Sequence, residues 1–355
     1  MSIEKVLVAN RGEIACRIFR TTRRMGIVGV AVYSDADASA RHVAVADESL
    51  HIGPSPSSES YLNVPAILAA ATRCGADAIH PGYGFLSENA DFAAACLAAG
   101  FIFIGPTEDT IRKMAEKDLA KALMEAAGVR VIPGHAGENQ APGALRAAGD
   151  QLGYPLLIKA IAGGGGRGMR AVHRADDFAA ALEAAKREAR SAFGDDRMLL
   201  ERLLSPTRHI EVQLFGDAHG NLVHLFERDC SIQRRHQKIV EEAPAPGLSE
   251  ELRSRLGAAA VTAGRAIGYR GAGTVEFLLD TASDPARSAG SSESHALHFS
   301  VRNTPLKVVY PATAPVTRHH LSPWRVPLAE GEPLPTRHAR CDRALALSAL
   351  RAVCD

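Results

Sequence analysis

The sequence predicts an α/β chain that opens on a doubly wound parallel sheet and turns α+β in its second half. Three observations carry that expectation. Through residues 5–105, short apolar runs alternate with helix-spaced runs, and such alternation needs right-handed crossovers in a parallel sheet. Over residues 209–215, apolar and polar residues alternate one by one before a turn at 217–221 and a second run at 222–226, the mark of an antiparallel hairpin. A length of 355 residues suggests two or three domains at ~100–200 residues each.

Composition excludes several classes. With 46% hydrophobic residues, 23% charged residues and a mean hydropathy of −0.05, the chain is globular rather than disordered. The 31 glycines show no triplet period, which excludes collagen. No run reaches the ~18 apolar residues that span a bilayer, so no membrane partner is expected. A formal net charge of +1 gives no bulk field for nucleic acid. Residues 1–5 lead straight into an apolar run, without a signal-peptide core or an Arg-rich presequence, so a cytoplasmic setting is expected. Cys16, Cys74, Cys96, Cys230, Cys341 and Cys354 are scattered and form no C-x-x-C, so reduced thiols are expected rather than zinc or disulfides.

Each element follows in order. Residues 5–9 (KVLVA) read as a strand, and 13–25 as a helix with Ile14, Ile18 and Met25 near helical spacing. Residues 27–33 (IVGVAVY) are β-branched and bounded by Gly26 and Ser34-Asp35. A helix core at 64–71, a strand at 76–80, a helix at 90–99 and a strand at 101–105 (FIFIG) come next. The loops at 10–13 and 80–84 fall at carboxyl ends of strands, where ligands of parallel sheets sit. One helix carries Ile111, Met114 and Leu123, and Val131-Ile132-Pro133-Gly134 breaks the chain. Residues 154–160 (YPLLIKA) form a strand, and 178–189 a helix with Phe178, Leu182 and Ala185 on one side. Residues 209–215 alternate, 217–221 turn, and 222–226 complete a hairpin. Ser249 caps a helix whose Leu252, Leu256, Ala263 and Ile267 share a side, and 274–279 (TVEFLL) is a strand. Residues 281–294 read as a flexible insertion, 296–303 as a strand, and the C-terminal part shows no core pattern before 344–353.

Chemistry concentrates in three places. Four consecutive glycines, 163–166, lie between Lys159 and Arg167. Without Cβ atoms their N–H groups can approach an anion closely, which points to phosphate. The other reading is a flexible linker, although linkers mix Ser with Gly and do not follow a buried strand. The run lacks the G-K-[ST] of a P-loop and the G-x-G-x-x-G of a first βα turn. Glu276 shares a strand face with Thr274 and Leu278, opposite Val275, Phe277 and Leu279. Taken alone it reads as a solvated carboxylate. A phosphate loop nearby favours a Mg²⁺ ligand instead, because that ion needs only one or two protein carboxylates. Residues 227–242 (ERDCSIQRRHQKIVEE) mix both signs with little amphipathic order and read as a solvated charged loop or as part of a site. The chain has 8 lysines against 33 arginines, yet Lys117, Lys159 and Lys238 all fall in candidate segments, and Lys is a compact point charge for phosphate or carboxylate. Cys230 has no positioned base in view and reads as a packing residue.

Taken together, ANRGEIACRI at 9–18, IHPGYGFLSEN at 79–89, FIGP at 103–106, KAIAGGGGRGMR at 159–170, ERDCSIQRRHQKIVEEAP at 227–244 and GYRGAGTVEFLLD at 268–280 resemble biotin carboxylase, the ATP-grasp subunit of biotin-dependent carboxylases. The resemblance covers residues 1–280 and implies an N-terminal biotin carboxylase domain at 1–115. It further implies an ATP-grasp domain at 116–280 that includes a lid at 131–203, and a divergent remainder at 281–355. By the same resemblance, Lys117 and Lys159 contact ATP phosphates, Gly164, Gly165 and Gly166 form a lid loop over them, and Glu201 and Leu204 match the adenine hinge. His209, Gln233 and His236 match the ribose and adenine surroundings, Lys238 the bicarbonate lysine, and Glu276 and Asn303 metal-side residues. The implied cofactors are ATP with Mg²⁺ or Mn²⁺, alongside bicarbonate and carrier-borne biotin. The implied partners are a biotin carboxyl carrier protein and a carboxyltransferase subunit, with homodimerisation as a family expectation. The implied reaction forms carboxyphosphate from bicarbonate and ATP, releases CO₂ from it and captures that CO₂ on biotin. Its physics is mostly positioning and charge neutralisation.

The sequence departs from this family after Asp280. The family segment F-x-E-M-N-T-R-x-Q-V-E-H-P-V-T-E aligns with FSVRNTPLKVVYPATA at 299–314, through Phe299, Asn303, Thr304, Val308, Pro311 and Thr313. Val301 then stands at a metal carboxylate, Pro305 at an anion-stabilising arginine and Val309 at a glutamate base, while Lys307 and Tyr310 replace Gln and His. Losing one such charge-stabilising group typically costs ~10²–10³ in rate. The family also continues past GEPLP at 331–335, whereas 336–355 does not resemble that continuation. The sequence thus leaves two expectations open: a biotin carboxylase, and an ATP-binding member or truncated gene product with impaired turnover. A different ATP-grasp ligase is a third, against which HQKIVEEAP at 236–244 argues.

Overall fold

The computed structural model describes residues 2–162, 168–234, 237–281, 297–299, 322–335 and 351–352. Strands β1 (Lys5–Val8), β2 (Val28–Ser34), β3 (Glu48–Gly53), β4 (Ala78–His80) and β5 (Ile102–Phe103) form a parallel sheet in the order β3-β2-β1-β4-β5. Helices α1 (Gly12–Arg24), α2 (Arg41–Val45), α3 (Val64–Cys74), α4 (Ala90–Ala98) and α5 (Glu108–Ala115) accompany it. On one face Val6, Val8, Ala31 and Ala78 meet Ile14, Ile18 and Phe19 of α1. On the other, Leu7, Val30, Val32 and Ile79 meet Ile67 and Ala71 of α3 and Phe92 and Cys96 of α4. Burial on both faces is why β1 and β2 are continuous apolar runs, and why they were legible as parallel strands. The edge strand β3 was not anticipated. It exposes Glu48, Ser49 and His51, and an edge strand of that composition carries little apolar signal.

The order of the sheet reverses between β1 and β4, the place where ligands of such sheets usually bind. There the 10–13 and 80–84 loops are tied to each other. The buried Asn10 Nδ2 donates to the carbonyls of Pro81 and Tyr83, both at 2.8 Å. Gly82 at φ +68° lies so close that a Cβ would stand 2.6 Å from Asn10 Nδ2.

The single helix expected around 111–123 is two. Helix α5 ends at Ala115, Glu116 is extended (φ −91°, ψ 104°), and α6 (Lys117–Ala126) starts with Lys117. A second, antiparallel sheet runs β6-β9-β7-β8, built from β6 (Gly134–His135), β7 (Leu156–Ala160), β8 (Met169–Val172) and β9 (Met198–Arg202). Helices α7 (Pro142–Leu152) and α8 (Phe178–Phe193) cover one side, burying Leu145, Phe178, Leu182 and Ala185 against Leu156, Ile158, Met198 and Leu200. Ala160 N donates to Gly168 O at 3.1 Å, so the glycine run connects the two strands of a hairpin immediately beyond Lys159.

The third sheet, in the order β11-β10-β15-β16, joins β10 (Thr207–Gly216), β11 (Leu222–Asp229), β15 (Gly271–Asp280) and β16 (Leu297–Phe299). Three short strands lie between β11 and β15: β12 (Gln233–Arg234), β13 (Gln237–Lys238) and β14 (Val240–Glu241). Helix α9 (Glu250–Ala266) starts where the sequence places it, with Ser249 Oγ accepting from Leu252 N at 3.2 Å. Its Leu252, Leu256, Ala260 and Ala263 pack on Ile210, Val212 and Leu214 of β10 and on Val275, Phe277 and Leu279 of β15. Helix α10 (Ser322–Glu330) leans on both units. Trp324 meets the Phe215 ring edge-on at 5.4 Å, and Arg325 donates to Ile104 O at 3.2 Å. Strand β17 (Arg351–Ala352) pairs with β14. All but one residue of the expected insertion at 281–294, and most of the strand expected at 296–303, lie outside the described residues.

Candidate active site

Strand β10 has two buried faces. Ile210, Val212 and Leu214 enter the α9 core, and the alternate residues His209, Glu211 and Gln213 are buried on the opposite side. Pairing places Glu211 directly opposite Glu276 of β15, and opposite Arg228 of β11. Two carboxylates facing each other across an antiparallel pair repel unless a cation lies between them. Lys238 of β13 is that cation. Its Nζ donates to Glu211 Oε2 and, at 2.6 Å, to Glu276 Oε1. Arg228 Nε donates to Glu211 Oε1 at 2.6 Å and its Nη1 to Gln213 Oε1 at 3.3 Å. His209 Nε2 lies 3.0 Å from Glu276 Oε2, and Gln233 Nε2 lies 2.5 Å from His209 Nδ1. Because the Gln233 amide nitrogen is a donor, His209 Nδ1 accepts and its Nε2–H faces Glu276.

This network sets its own protonation. Burial alone would raise the pKa of Glu211, but Arg228 and Lys238 outweigh it and hold the carboxyl below the usual range. The balance is the same at Glu276, where Lys238 and His209 overcome desolvation. Burial would push the Lys238 ammonium down, yet Glu211 and Glu276 hold it above its ordinary value. Lys238 is thus a permanent cation, with two of its three donors held by carboxylates. Burial, reinforced by Glu211, pushes the Cys230 thiol up, so it stays protonated, in keeping with a packing role.

Two sequence expectations are corrected here. Glu276 is only 5% exposed, so its carboxylate is not on a solvated face. Nor are residues 227–230 and 241 solvated, although Ser231, Ile232 and Arg234 between them are exposed. Glu227, Arg228, Asp229 and Cys230 are buried at the end of β11, where Arg253 holds Glu227 at 2.9 Å and Arg208 holds Asp229 at 2.7 Å.

A second buried ion pair lies on the β6-β9-β7-β8 sheet. Leu157 pairs with Glu201 and Lys159 with Leu199, so Lys159 and Glu201 are diagonal neighbours on the face away from α8. Lys159 Nζ donates to Glu201 Oε2, and both residues are buried. Segment 203–206 leads from β9 into β10 and carries the half-buried Leu204.

The structure thus groups Lys238, Glu276, His209 and Gln233 in one network and Lys159 with Glu201 in another. Lys117 opens α6. Gly164, Gly165, Gly166, His236 and Asn303 lie outside the described residues, as do Val301, Pro305, Lys307, Val309 and Tyr310. For a hard divalent cation, Glu276 is the described group with fitting chemistry. A carboxylate has about four lone-pair sites, and Lys238 and His209 occupy two of them. Ligand atoms of Glu211, Cys230 and Glu241 lie within 4.8 Å of one another, but two protein cations already hold Glu211 and the thiol is protonated. A cavity of about 690 Å³ lined by Gly12, Arg20, Arg23, Arg24 and Arg41 runs along α1 and contains none of these groups. Sequence reasoning missed Glu211, Gln213, Arg228 and Lys121. The polar positions 209, 211 and 213 were visible in the alternation, but nothing local says that such a face is buried.

Comparison with known proteins fits this layout. The family described as "Biotin carboxylase, N-terminal domain" matches residues 2–111, and that described as "Carbamoyl-phosphate synthase L chain, ATP binding domain" matches 116–337. The mitochondrial methylcrotonoyl-CoA carboxylase subunit alpha of Glycine max is 54% identical over 333 residues, which cover 94% of this chain and 44% of that protein. The chain therefore spans less than half the length of the first such relatives. The biotin carboxylase of Allochromatium vinosum is 50% identical over 95% of this chain and 72% of its own. Among solved structures, a complex of Campylobacter jejuni biotin carboxylase with beta-gamma-ATP superposes with a TM-score of 0.88 at 46% identity, covering 95% of this chain and 73% of that one. The biotin carboxylase domain dimer of Hydrogenobacter thermophilus 2-oxoglutarate carboxylase, with MgADP, ADP and bicarbonate, gives 0.89 at 42% identity, covering 96% and 73%. On these matches, and on a parallel-sheet unit followed by two antiparallel sheets, the chain belongs to the biotin carboxylase family.

Proposed function

We propose that the chain carboxylates biotin on a carrier protein, using ATP and bicarbonate through carboxyphosphate. The observation that carries this reading is the permanent cation Lys238, held between Glu211 and Glu276 beside His209. An ammonium held charged is unsuited to act as a base. Its work is to fix an anion, and its third donor is the one it can offer to bicarbonate. In the same reading Lys159 and Lys117 hold the nucleotide phosphates, and Gly164, Gly165 and Gly166 cover them. Glu201 and Leu204 line the adenine side, and His209, Gln233 and His236 line the sugar side. Glu276, with Asn303, holds a Mg²⁺ or Mn²⁺ ion that supplies charge neutralisation. Relatives bound to beta-gamma-ATP, and to MgADP, ADP and bicarbonate, support the choice of nucleotide and bicarbonate as ligands.

The domain division at 1–115, 116–280 with its lid at 131–203, and 281–355 belongs to this proposal. So do a biotin carboxyl carrier protein and a carboxyltransferase as partners, a homodimer, and a cytoplasmic setting. Among the described residues no helix is long and apolar enough to cross a membrane. The alternative of impaired turnover rests on Val301, Pro305 and Val309, which lie outside the described residues, and nothing described favours it. The test is ATP hydrolysis with free biotin. Hydrolysis that requires bicarbonate, is stimulated by biotin and is lost in Lys238→Gln is the expected result. Hydrolysis indifferent to bicarbonate would contradict the proposal.

A further inference from the structure

Lys121 is buried on α6, one turn beyond Lys117, and its ammonium has no hydrogen-bond partner among the described residues. Its Nζ lies 3.8 Å from Glu201 Oε1, while Lys159 holds Glu201 Oε2. Two lysines from different elements therefore address the two oxygens of one buried carboxylate, one at bonding distance and one about an ångström short of it. The room for the second is built in. Gly134 pairs with Glu201, and a Cβ on Gly134 would stand 2.6 Å from Lys121 Nζ. Burial pushes the Lys121 ammonium below its ordinary value, an effect that Glu201 and Glu125 partly offset.

If Lys159 turns to a nucleotide phosphate, Glu201 is left buried with one cation fewer, which is unfavourable in a low-dielectric interior. We propose that Lys121 is a positioning residue that closes on Glu201 as Lys159 leaves it, so that the positive charge beside this buried carboxylate is maintained while Lys159 engages the nucleotide. The inference rests on the nucleotide-binding role proposed for Lys159. Lys121 itself touches no nucleotide; it acts through Glu201.

The test is MgATP affinity by titration calorimetry on the full chain, with the melting temperature of the nucleotide-free protein measured alongside. Lys121→Met is expected to weaken MgATP about ten-fold and to lower the nucleotide-free melting temperature less than Lys159→Met does, since Lys121 lies 3.8 Å from Glu201 whereas Lys159 donates to it. Lys121→Arg, which keeps the charge, should recover most of the affinity. In a Glu201→Gln background, Lys121→Met should have little further effect. Unchanged affinity in Lys121→Met would overturn the proposal. So would a full ten-fold loss that persists in Glu201→Gln, because that means direct contact with the nucleotide. Should Lys121→Met not fold, Lys121→Gln gives the same comparison with a polar side chain. A wild-type chain that fails to bind MgATP would instead sink the nucleotide reading, a result distinct from a wild type that binds and a Lys121→Met that binds equally well.

Discussion

Replacing Lys238 by Met removes the only described cation that touches both Glu211 and Glu276. Directly opposite residues of an antiparallel pair hold their Cβ atoms about 4.5–5.5 Å apart, so without the cation the two carboxylates face each other at about 5 Å. At an effective dielectric constant of about 20, two unit charges at that distance repel by about 3 kcal/mol. That energy corresponds to about two pKa units. The folded variant should therefore take up one proton well above the usual carboxylate range, shared between Glu211 and Glu276, which titrate as a pair. Because the folded state then binds a proton that the unfolded state does not, stability rises as pH falls. Urea unfolding at pH 8 should show Lys238→Met about 3 kcal/mol less stable than the wild type. At pH 5.5 roughly half of that difference should be gone, and the rest should disappear only towards about pH 4, below the unfolded carboxylate pKa. Adding Glu276→Gln to Lys238→Met removes the repulsion and should restore stability at pH 8. Equal stability of Lys238→Met and wild type at pH 8, or a deficit that does not shrink on acidification, would refute the electrostatic reasoning.

Three further outcomes are expected. Glu211 and Glu276 both have depressed pKa values in the folded protein, so their contribution is complete above about pH 4.5 and is lost as pH falls through the folded values. The stability difference between wild type and Glu276→Gln should accordingly be flat from pH 5 to 8 and shrink below about pH 4, as read by acid titration of unfolding. Asn10→Ala breaks two hydrogen bonds to the carbonyls of Pro81 and Tyr83 and should cost about 1–3 kcal/mol in urea unfolding, with no pH dependence between 5 and 8. Ser249→Ala removes the cap of α9 and should cost about 1 kcal/mol by the same measurement.

The parallel sheet was legible because strands buried on both faces read as unbroken apolar runs, as in 5–9 and 27–33. The hairpin and α9 were legible from the alternation at 209–215 and from the Ser249 cap. Strands β3 and β6 were not, since an exposed edge and a two-residue strand leave almost no pattern. The division of α5 from α6 at Glu116 carries no Gly or Pro to mark it, although Leu123, nine residues after Met114, already falls on the opposite side of a continuous helix at ~100° per residue. Site residues split in the same way. Lys159, Lys238, His209 and Glu276 stood out by residue type and by family resemblance. Glu211 and Arg228 did not, because whether a polar face of a strand meets water or a second charged layer depends on strand register, which is set far away in sequence. Lys121 drew no reading from the sequence, because nothing local says that this position of α6 is buried beside Gly134 and Glu201.

The central claim is that Lys159, with Glu201 beneath it, grips a nucleotide, and calorimetric titration of the full chain with MgATP tests it most directly. Saturable one-to-one binding that Lys159→Met weakens at least ten-fold is the predicted result. Absence of binding, or equal binding by wild type and Lys159→Met, would contradict it.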